Sequence, residues 1–162
     1  MSGYLFTLEQ TMDRPSWDQY FMGMAHYASI RSHDSETRVG CVLVNTLHHV
    51  VGMGYNGFPA QCNDAVLPTF RPEKYPFMVH AEENAVSNME RRCVGPLKAY
   101  ITHYPCFRCA KLLWQNGVNK WYIEKGAFVS SKNDNDTSVH QFLVKNGLEI
   151  YNIETNLDLK IN

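Results

Sequence analysis

Two short motifs contain the residue types that most often bind a transition metal. His80 and Glu82 stand in the run His-Ala-Glu, and Cys106 and Cys109 stand in the run Pro-Cys-Phe-Arg-Cys. Cysteines three residues apart lie on one face of a helix, so both sulfurs can reach one ion. One imidazole and two thiolates give zinc three protein ligands and leave the fourth position open to water, as in catalytic zinc sites. The spacing therefore predicts a catalytic zinc held by His80, Cys106 and Cys109.

Glu82 lies two residues from the predicted ligand His80, close enough to reach a water molecule on the metal without binding the metal itself. A carboxylate in that place can take a proton from the water and return it to a ring nitrogen and to departing ammonia. The order His-x-Glu followed by Pro-Cys-x-x-Cys is the signature of zinc nucleobase deaminases. The predicted chemistry is hydrolytic deamination of an amidine-like ring carbon, with Glu82 as the catalytic acid and base.

The cysteine pair has two alternative interpretations, a redox pair and a structural zinc site. A redox pair does not need an upstream His-x-Glu. A structural site needs a fourth ligand, which Cys62, Cys93 or His103 could supply in principle. A second zinc bound by His48 and His49 or by Cys62 also stays open as an alternative.

The elements that must position these motifs alternate between helix and strand. A helix is predicted over 13–31, a hairpin of two strands over 39–44 and 49–53, and a Gly- and Pro-rich loop over 54–76. Further helices are predicted over 81–91, 105–116 and 138–146, and further strands over 99–102, 120–124 and 148–151. The segment 132–137 has a polar, turn-like composition, with Asp136 or Thr137 as the predicted cap of the last helix. Because a loop as long as 54–76 is usually functional in a compact domain, and because it contains aromatic residues, we expect an ordered binding loop.

This order of elements predicts an α/β fold. The expected architecture is a three-layer α/β/α sandwich around a five-stranded mixed sheet that is mostly parallel after the opening hairpin. A length of 162 residues suits one domain over 1–162. We expect its core over about 14–151 and a weakly patterned tail over 152–162.

Composition and charge exclude several classes of protein. Lys and Arg number 15 against 16 Asp and Glu, a net charge of -1, which lacks the positive field of a nucleic-acid coat or a polybasic membrane binder. The odd number of five cysteines, in a chain large enough to fold without disulfides, favours a reduced intracellular setting. No apolar stretch approaches the roughly 20 residues of a membrane helix, and no signal peptide pattern is present. We expect a cytoplasmic protein without nucleic-acid or membrane partners.

Around these motifs the sequence resembles the deoxycytidylate deaminase family, whose members convert dCMP to dUMP with zinc. The resemblance covers about residues 17–117 and continues more weakly to about 150. It rests on Arg31-Ser32, Val39-Gly40-Cys41, Gly52-Met53-Gly54-Tyr55-Asn56-Gly57-Phe58-Pro59, Cys62, Asp64, Val66-Leu67-Pro68, Lys74-Tyr75-Pro76, His80-Ala81-Glu82-Glu83-Asn84-Ala85 and Pro105-Cys106-Phe107-Arg108-Cys109-Ala110. The zinc motifs alone specify only the cytidine deaminase-like superfamily, and the Gly-Tyr-Asn-Gly-x-Pro run narrows the match.

The resemblance implies roles for five residues around a substrate. Asn56 would hold the sugar, Arg31 and Ser32 would lie near the phosphate, and Ala81 and Tyr104 would contact the substrate. From the residues alone, Asn56 is also a favoured turn residue, and Arg31 after a helix also stabilises the helix dipole. The implied product, dUMP, supplies thymidylate synthesis.

The resemblance further implies a homohexamer activated by dCTP and inhibited by dTTP, with Mg²⁺ accompanying the triphosphate. The implied effector site includes Gly54, Tyr55 and Asn56. Two rival functions stay open, another deaminase of the superfamily acting on a base, nucleoside or tRNA, and a non-enzymatic zinc-binding module. The absence of a strong positive charge speaks against the tRNA enzyme.

Overall fold

The computed structural model describes residues 14–90, 95–127 and 134–155. Its helices are α1 (Trp17–Ser29), α2 (Ala81–Ser87), α3 (Phe107–Gln115) and α4 (Asp134–Lys145). Its strands are β1 (Gly40–Val44), β2 (Val50–Tyr55), β3 (Leu97–Ile101), β4 (Val118–Glu124) and β5 (Glu149–Ile153). Every helix and strand predicted from the sequence pattern is present, with shifted boundaries.

The five strands form one mixed sheet in the order β2-β1-β3-β4-β5. Strand β1 pairs antiparallel with both of its neighbours, and β3, β4 and β5 run parallel to one another. In the register, Cys41 lies opposite Gly54 on β2 and Ile101 on β3. Because β1 and β3 are antiparallel, the start of β1 lies at the same edge of the sheet as the ends of β2 and β3.

Helices cover both faces of the sheet, which confirms the predicted three-layer α/β/α fold. On one face, α1 packs Phe21, Met22 and Ala25 against Val42 and its neighbours on the sheet. On the other face, residues of α2, α3 and α4 join alternate residues of the strands in a larger apolar cluster, with the fully buried Trp121 among its members. Apolar burial on both faces fixes the sheet as a rigid frame for the loops at its edge.

The caps of α1 and α4 are defined by hydrogen bonds. Ser16 caps α1, since its Oγ accepts from the N–H of Gln19 and the Gln19 side chain accepts from the Ser16 N–H. The predicted cap of α4 at Asp136 or Thr137 is wrong, because α4 already begins at Asp134. Both residues lie inside the helix, and the Asp136 carboxylate instead accepts from the N–H of Phe107, 2.6 Å away, at the start of α3.

Other predicted boundaries shift by a few residues. Helix α2 ends at Ser87 rather than near 91, and residues 91–94, which include Cys93, lie outside the described part of the chain. Strand β5 extends to Ile153, two residues into the segment expected as a tail. None of the helices within the described ranges is long and apolar enough to cross a membrane.

Candidate metal and catalytic site

Both predicted motifs lie at the first turns of helices that pack on the same face of the sheet. His80 immediately precedes α2, and Cys106 immediately precedes α3. The backbone N–H of His80 donates to the Glu83 carboxylate at 2.7 Å, which fixes the start of α2. Cysteines 106 and 109 are one helical turn apart, so α3 turns both sulfurs toward His80.

The three predicted ligands have the separations that a zinc ion requires. His80 Nδ1 lies 3.6 Å from Cys106 Sγ and 3.4 Å from Cys109 Sγ, and the three donor atoms lie within 4.8 Å of one another. Tetrahedral zinc, with bonds of about 2.0 Å to nitrogen and 2.3 Å to sulfur, separates such atoms by about 3.5 Å. Among the described residues no fourth His, Cys, Asp or Glu joins the group. The donor set therefore fits zinc with an open position, although Cys93 lies outside the described residues.

Hydrogen bonds inside the group separate the pKa values of its members. The hydrogen bond that Cys106 accepts from Cys109 lowers the pKa of Cys106 to about 3, with a further contribution from His80. The hydrogen bond to Cys106 raises the pKa of His80 to about 9, and the hydrogen bond from Cys109 to Cys106 raises the pKa of Cys109. The group thus contains one thiolate, Cys106, which shares protons with Cys109 and His80. A divalent cation that binds there would displace those protons, because metal binding to such ligands releases protons.

Glu82 is buried beside the ligand group. Glu82 is only 4% exposed, and its charge acts on the protonation of His80 and of Cys109. Burial raises the pKa of Glu82 to about 7. A carboxyl group that titrates near neutral pH can both accept and return a proton, which is the property of a general acid and base.

Two residues of α4 fix the segment that carries Cys106. Buried Asp136 accepts from the N–H of Phe107, and His140 Nε2 donates to the Pro105 carbonyl at 2.8 Å. The sequence pattern predicts neither contact, because the partners lie 29 and 35 residues apart in the chain. The carboxylate supplies at the start of α3 the cap that the Cys106 side chain does not provide.

A cavity of about 350 Å³ opens beside the candidate metal site. His80, Ala81, Glu82, Cys106 and Tyr104 form part of its lining, and Tyr104 is anchored by donating to the Asn152 side chain at 2.8 Å. A second group of lining residues is polar and charged and consists of Asp34, Thr37, Asn56, Arg71, Lys74 and His103. The cavity is therefore large enough for a small metabolite. One part of its wall carries the candidate metal and catalytic residues, and another part carries charged side chains.

Asn56 is held in one orientation by the protein. Its Oδ1 accepts from the N–H of Val39 at 2.8 Å, and its Nδ2 donates to the Thr37 carbonyl at 2.9 Å and to the Asp34 carboxylate at 3.4 Å. Both amide hydrogens are thus engaged, and Oδ1 keeps one acceptor position for a ligand. The contact of Asn56 to a sugar remains a prediction. In the observed orientation Asn56 could only accept a hydrogen bond from the sugar, through Oδ1.

A buried ion pair lies next to Asn56. Lys74 is 3% exposed, and its Nζ donates to both oxygens of Asp34 at 2.7 and 2.8 Å. Burial alone raises the pKa of Asp34, but the hydrogen bonds from Lys74 and from the N–H groups of Glu36 and Thr37 outweigh it and lower that pKa. Asp34 therefore joins the loop after α1 to the long loop before α2.

Arg71 brings a second cation to the cavity wall. It donates to Thr37 Oγ1, and its Nε lies 3.7 Å from Glu36 Oε2. Sequence reasoning did not assign Arg71 or Lys74 a role, although both stand in the long loop predicted to bind a ligand. The available signal was that this loop carries both cations directly before His80.

The other sequence-predicted site residues fall in two groups. Ala81 and Tyr104 line the cavity, and their predicted contact with a substrate stays a prediction. Neither Arg31 nor Ser32 is among the described residues that line the cavity. Arg31 is exposed after α1, and the buried Ser32 accepts a hydrogen bond from the Asp34 N–H. Their phosphate role therefore stays a prediction without a contact to support it.

The residues implied for an effector site have structural roles in this chain. Gly54 packs so closely on α2 that a Cβ there would lie 2.4 Å from the Ala85 nitrogen. The Tyr55 carbonyl accepts from the Asn84 side chain at 2.8 Å. These contacts join β2 to α2 and give Gly54 a structural reason of its own, while the effector role stays a prediction.

Comparison with known proteins gives the same family by sequence and by structure. The family model described as the cytidine and deoxycytidylate deaminase zinc-binding region matches residues 15–125. The deoxycytidylate deaminase of Mus musculus is 40% identical over 114 residues, which are 67% of this chain and 64% of that protein. The chain thus spans slightly less than two thirds of the mouse relative.

Two phage relatives match over nearly their whole length. The deoxycytidylate deaminase of Mycobacterium phage D29 is 33% identical over 122 residues, 67% of this chain and 94% of that protein. The dCMP deaminase of cyanophage S-TIM5, in a crystal structure in complex with dCMP and dUMP, superimposes with a TM-score of 0.70 at 25% identity. That match covers 86% of this chain and 98% of the cyanophage chain.

Proposed function

Because this chain belongs to the cytidine and deoxycytidylate deaminase family, we propose that it is a zinc-dependent deaminase that converts dCMP and water to dUMP and ammonia. The observation that carries the proposal is the buried Glu82 beside the His80, Cys106 and Cys109 donor set, at the wall of a cavity. The names of the mouse and phage relatives favour dCMP among the substrates of the family.

His80, Cys106 and Cys109 would hold the zinc. The ion would supply Lewis acidity, which makes a water molecule a nucleophile near neutral pH. The two thiolates reduce the net charge of the site, so the proton of the attacking water needs a nearby acceptor.

Glu82 is that acceptor. Its carboxylate takes a proton from the water that attacks C4 of the cytosine ring and delivers a proton to ring nitrogen N3. A second proton passes through the same oxygen atoms to the amino group, which leaves as ammonia when the C4–N bond breaks. Burial of Glu82 favours the neutral carboxyl and so helps the same group to return the proton that it has accepted.

Recognition of the monophosphate is assigned to the charged wall of the cavity. Arg71 lines it with an exposed guanidinium, and Lys74 lines it with a buried ammonium that two carboxylates already neutralise. Arg71 is the better phosphate ligand because arginine binds phosphate oxygens through two parallel N–H groups. Arg31 is assigned no contact, in contrast to the expectation from resemblance.

The test is ammonia release by the zinc-loaded protein from dCMP, deoxycytidine and dCTP at matched concentrations. We expect dCMP to be preferred over deoxycytidine by at least about 100-fold in kcat/KM, since only the nucleotide can form the charge-assisted bidentate contact with Arg71. Equal use of deoxycytidine would make the protein a nucleoside deaminase. No ammonia from any of the three, with zinc bound at one per chain, would favour the zinc-binding module.

The wider consequences of the resemblance remain predictions. We expect a cytoplasmic homohexamer whose dUMP supplies thymidylate synthesis, with activation by dCTP, inhibition by dTTP and Mg²⁺ on the triphosphate. None of these rests on a contact among the described residues.

A further inference from the structure

Glu36 does not itself line the cavity, but it contacts both cationic residues that do, Lys74 and Arg71. Its Oε2 lies 2.8 Å from Lys74 Nζ, 3.1 Å from the backbone N of Arg71 and 3.7 Å from Arg71 Nε. One carboxylate oxygen is thus surrounded by donors from both cationic residues of the long loop. Carboxylate and phosphate oxygens accept from the same guanidinium and ammonium groups.

The four charges of this cluster balance. Lys74 and Arg71 are positive, and Asp34 and Glu36 are negative. Asp34 is fixed, because it is 4% exposed and also accepts from the backbone N–H groups of Glu36 and Thr37. The Glu36 side chain is 32% exposed and can turn into solvent without leaving a buried charge behind.

We propose that Glu36 is an internal counter-anion, which accepts from the two cations of the cavity wall and must give up those contacts when a nucleotide phosphate binds to them. The inference rests on the proposed function, since it concerns the phosphate-binding wall of the same cavity. Glu36 is thereby a specificity-determining residue, which weakens the binding of phosphate-bearing ligands and leaves that of nucleosides unaffected.

The physical reason lies in the charge that the ligand meets. A phosphate carries about -1.5 to -2 charges at pH 7, and it approaches a cluster whose net charge is zero as long as Glu36 stays in place. A ligand without phosphate leaves the Glu36 contacts intact, so neither cation is unpaired in that complex. Glu36 therefore narrows the difference in affinity between a nucleotide and its nucleoside.

Glu36→Gln tests the proposal, because glutamine keeps the shape and one acceptor oxygen while it removes the charge. The zinc-loaded parent and variant are titrated with dUMP and with deoxyuridine in a calorimeter, which needs no turnover. We expect dUMP to bind about three- to tenfold more tightly to the variant, the size of effect of one partly exposed charge next to a dianion. The affinity for deoxyuridine should stay within about twofold, and the gain for dUMP should shrink as salt rises from about 0.05 to 0.5 M.

Glu149→Gln is the matched control. Glu149 also pairs with one lysine, Lys120 at 3.3 Å, but it lies at the start of β5, at the opposite edge of the sheet from the cavity. This variant changes the net charge equally and should bind dUMP like the parent. Glu36→Ala removes the same charge with a different side chain and should tighten dUMP binding as well.

The outcomes separate this proposal from the function on which it rests. If the parent prefers dUMP to deoxyuridine but Glu36→Gln binds dUMP equally or more weakly, Glu36 orients the cations rather than competing with phosphate, and the proposal is wrong. An equal gain in Glu149→Gln would assign the effect to net charge and would also overturn it. If the parent binds dUMP no better than deoxyuridine, the nucleotide assignment itself fails, and the counter-anion role fails with it.

Discussion

Glu82 is buried at the wall of the cavity, two residues from the predicted ligand His80, so its carboxylate can reach a water molecule at the metal position. We predict that Glu82→Gln keeps zinc but loses deamination by about 10²–10⁴-fold, because an amide cannot accept and return the proton. Zinc content by elemental analysis and ammonia release from dCMP measure the two effects separately. A variant within tenfold of the parent rate would mean that another group transfers the proton.

Arg71 and Arg31 offer a matched comparison of two arginines with different predicted roles. We predict that Arg71→Ala raises the KM for dCMP about tenfold or more and leaves the use of deoxycytidine unchanged, since the lost bidentate contact involves only the phosphate. Arg31→Ala should leave both substrates within about twofold, because Arg31 is exposed and lies off the described cavity wall. If Arg31→Ala raised the KM for dCMP and Arg71→Ala did not, Arg31 would be the residue that binds the phosphate.

At the scale of single residues, the sequence predicted that His80, Cys106 and Cys109 come together, and it missed most of the charged residues of the cavity wall. His80 with Glu82 and Cys106 with Cys109 are recognisable because each pair is local, two or three residues apart. Lys74 and Asp34 are 40 residues apart, and only the fold brings them together. A pair of that kind leaves no spacing in the chain from which it could have been predicted.

The contact between β2 and α2 depends on Gly54. A Cβ at this position would lie 2.4 Å from the Ala85 nitrogen and 2.5 Å from the Ala81 carbonyl oxygen, so strand or helix must move. We predict that Gly54→Ala lowers the free energy of unfolding by about 2 kcal/mol or more and the melting temperature by about 4–8 °C. Thermal melts followed by circular dichroism measure the change.

Gly57→Ala is the control for that prediction. A Cβ there meets only the His33 ring at 3.5 Å, an ordinary contact, so the melting temperature should stay within about 2 °C. If Gly54→Ala instead melts like the parent and loses only a response to dCTP, the effector role implied by resemblance is the better account of Gly54.

The buried pair of Lys74 and Asp34 fixes the long loop against the loop after α1. We predict that Lys74→Met costs about 3 kcal/mol, a decrease of about 6–12 °C in melting temperature, because Asp34 is left buried without its cation. Adding Asp34→Asn removes the unpaired charge and should recover at least about 1 kcal/mol. Lys125→Met, which breaks an exposed pair with Glu154, should cost less than about 0.5 kcal/mol. If both variants lost equal stability, burial of the Lys74–Asp34 pair would not be the cause of the loss.

Among the elements, periodicity predicted every helix and strand and failed where a polar residue serves a distant partner. The start of α4 was placed too late because Asp136 is a good capping residue in isolation. In the fold it caps α3 instead, 29 residues away in the sequence. The sequence pattern also could not predict that β1 pairs antiparallel with β3, because it indicates where strands occur and not which strands lie next to each other.

For the whole molecule, the fold is held by two apolar clusters, one on each face of the sheet, and the candidate ligands lie at the margin of the larger one. Trp121, Ile123 and Leu113 are fully buried there without any contribution from a metal. A chain of this size with a continuous core on both faces does not need a structural ion to fold. Zinc should therefore add stability to an already folded protein and should not decide whether it folds.

We accordingly predict that removal of zinc by a chelator leaves the far-ultraviolet circular dichroism spectrum of the protein unchanged and lowers its melting temperature. Binding at a free zinc concentration 100 times Kd stabilises by about 2.7 kcal/mol, which corresponds to about 5–10 °C. Cys106→Ala should melt at the temperature of the chelated parent and should not respond to the chelator, whereas Cys62→Ala, an exposed loop thiol, should respond like the parent. Loss of the helical spectrum on chelation would show instead that the metal holds α2 and α3 on the sheet, which is the behaviour of a structural site rather than of a catalytic one.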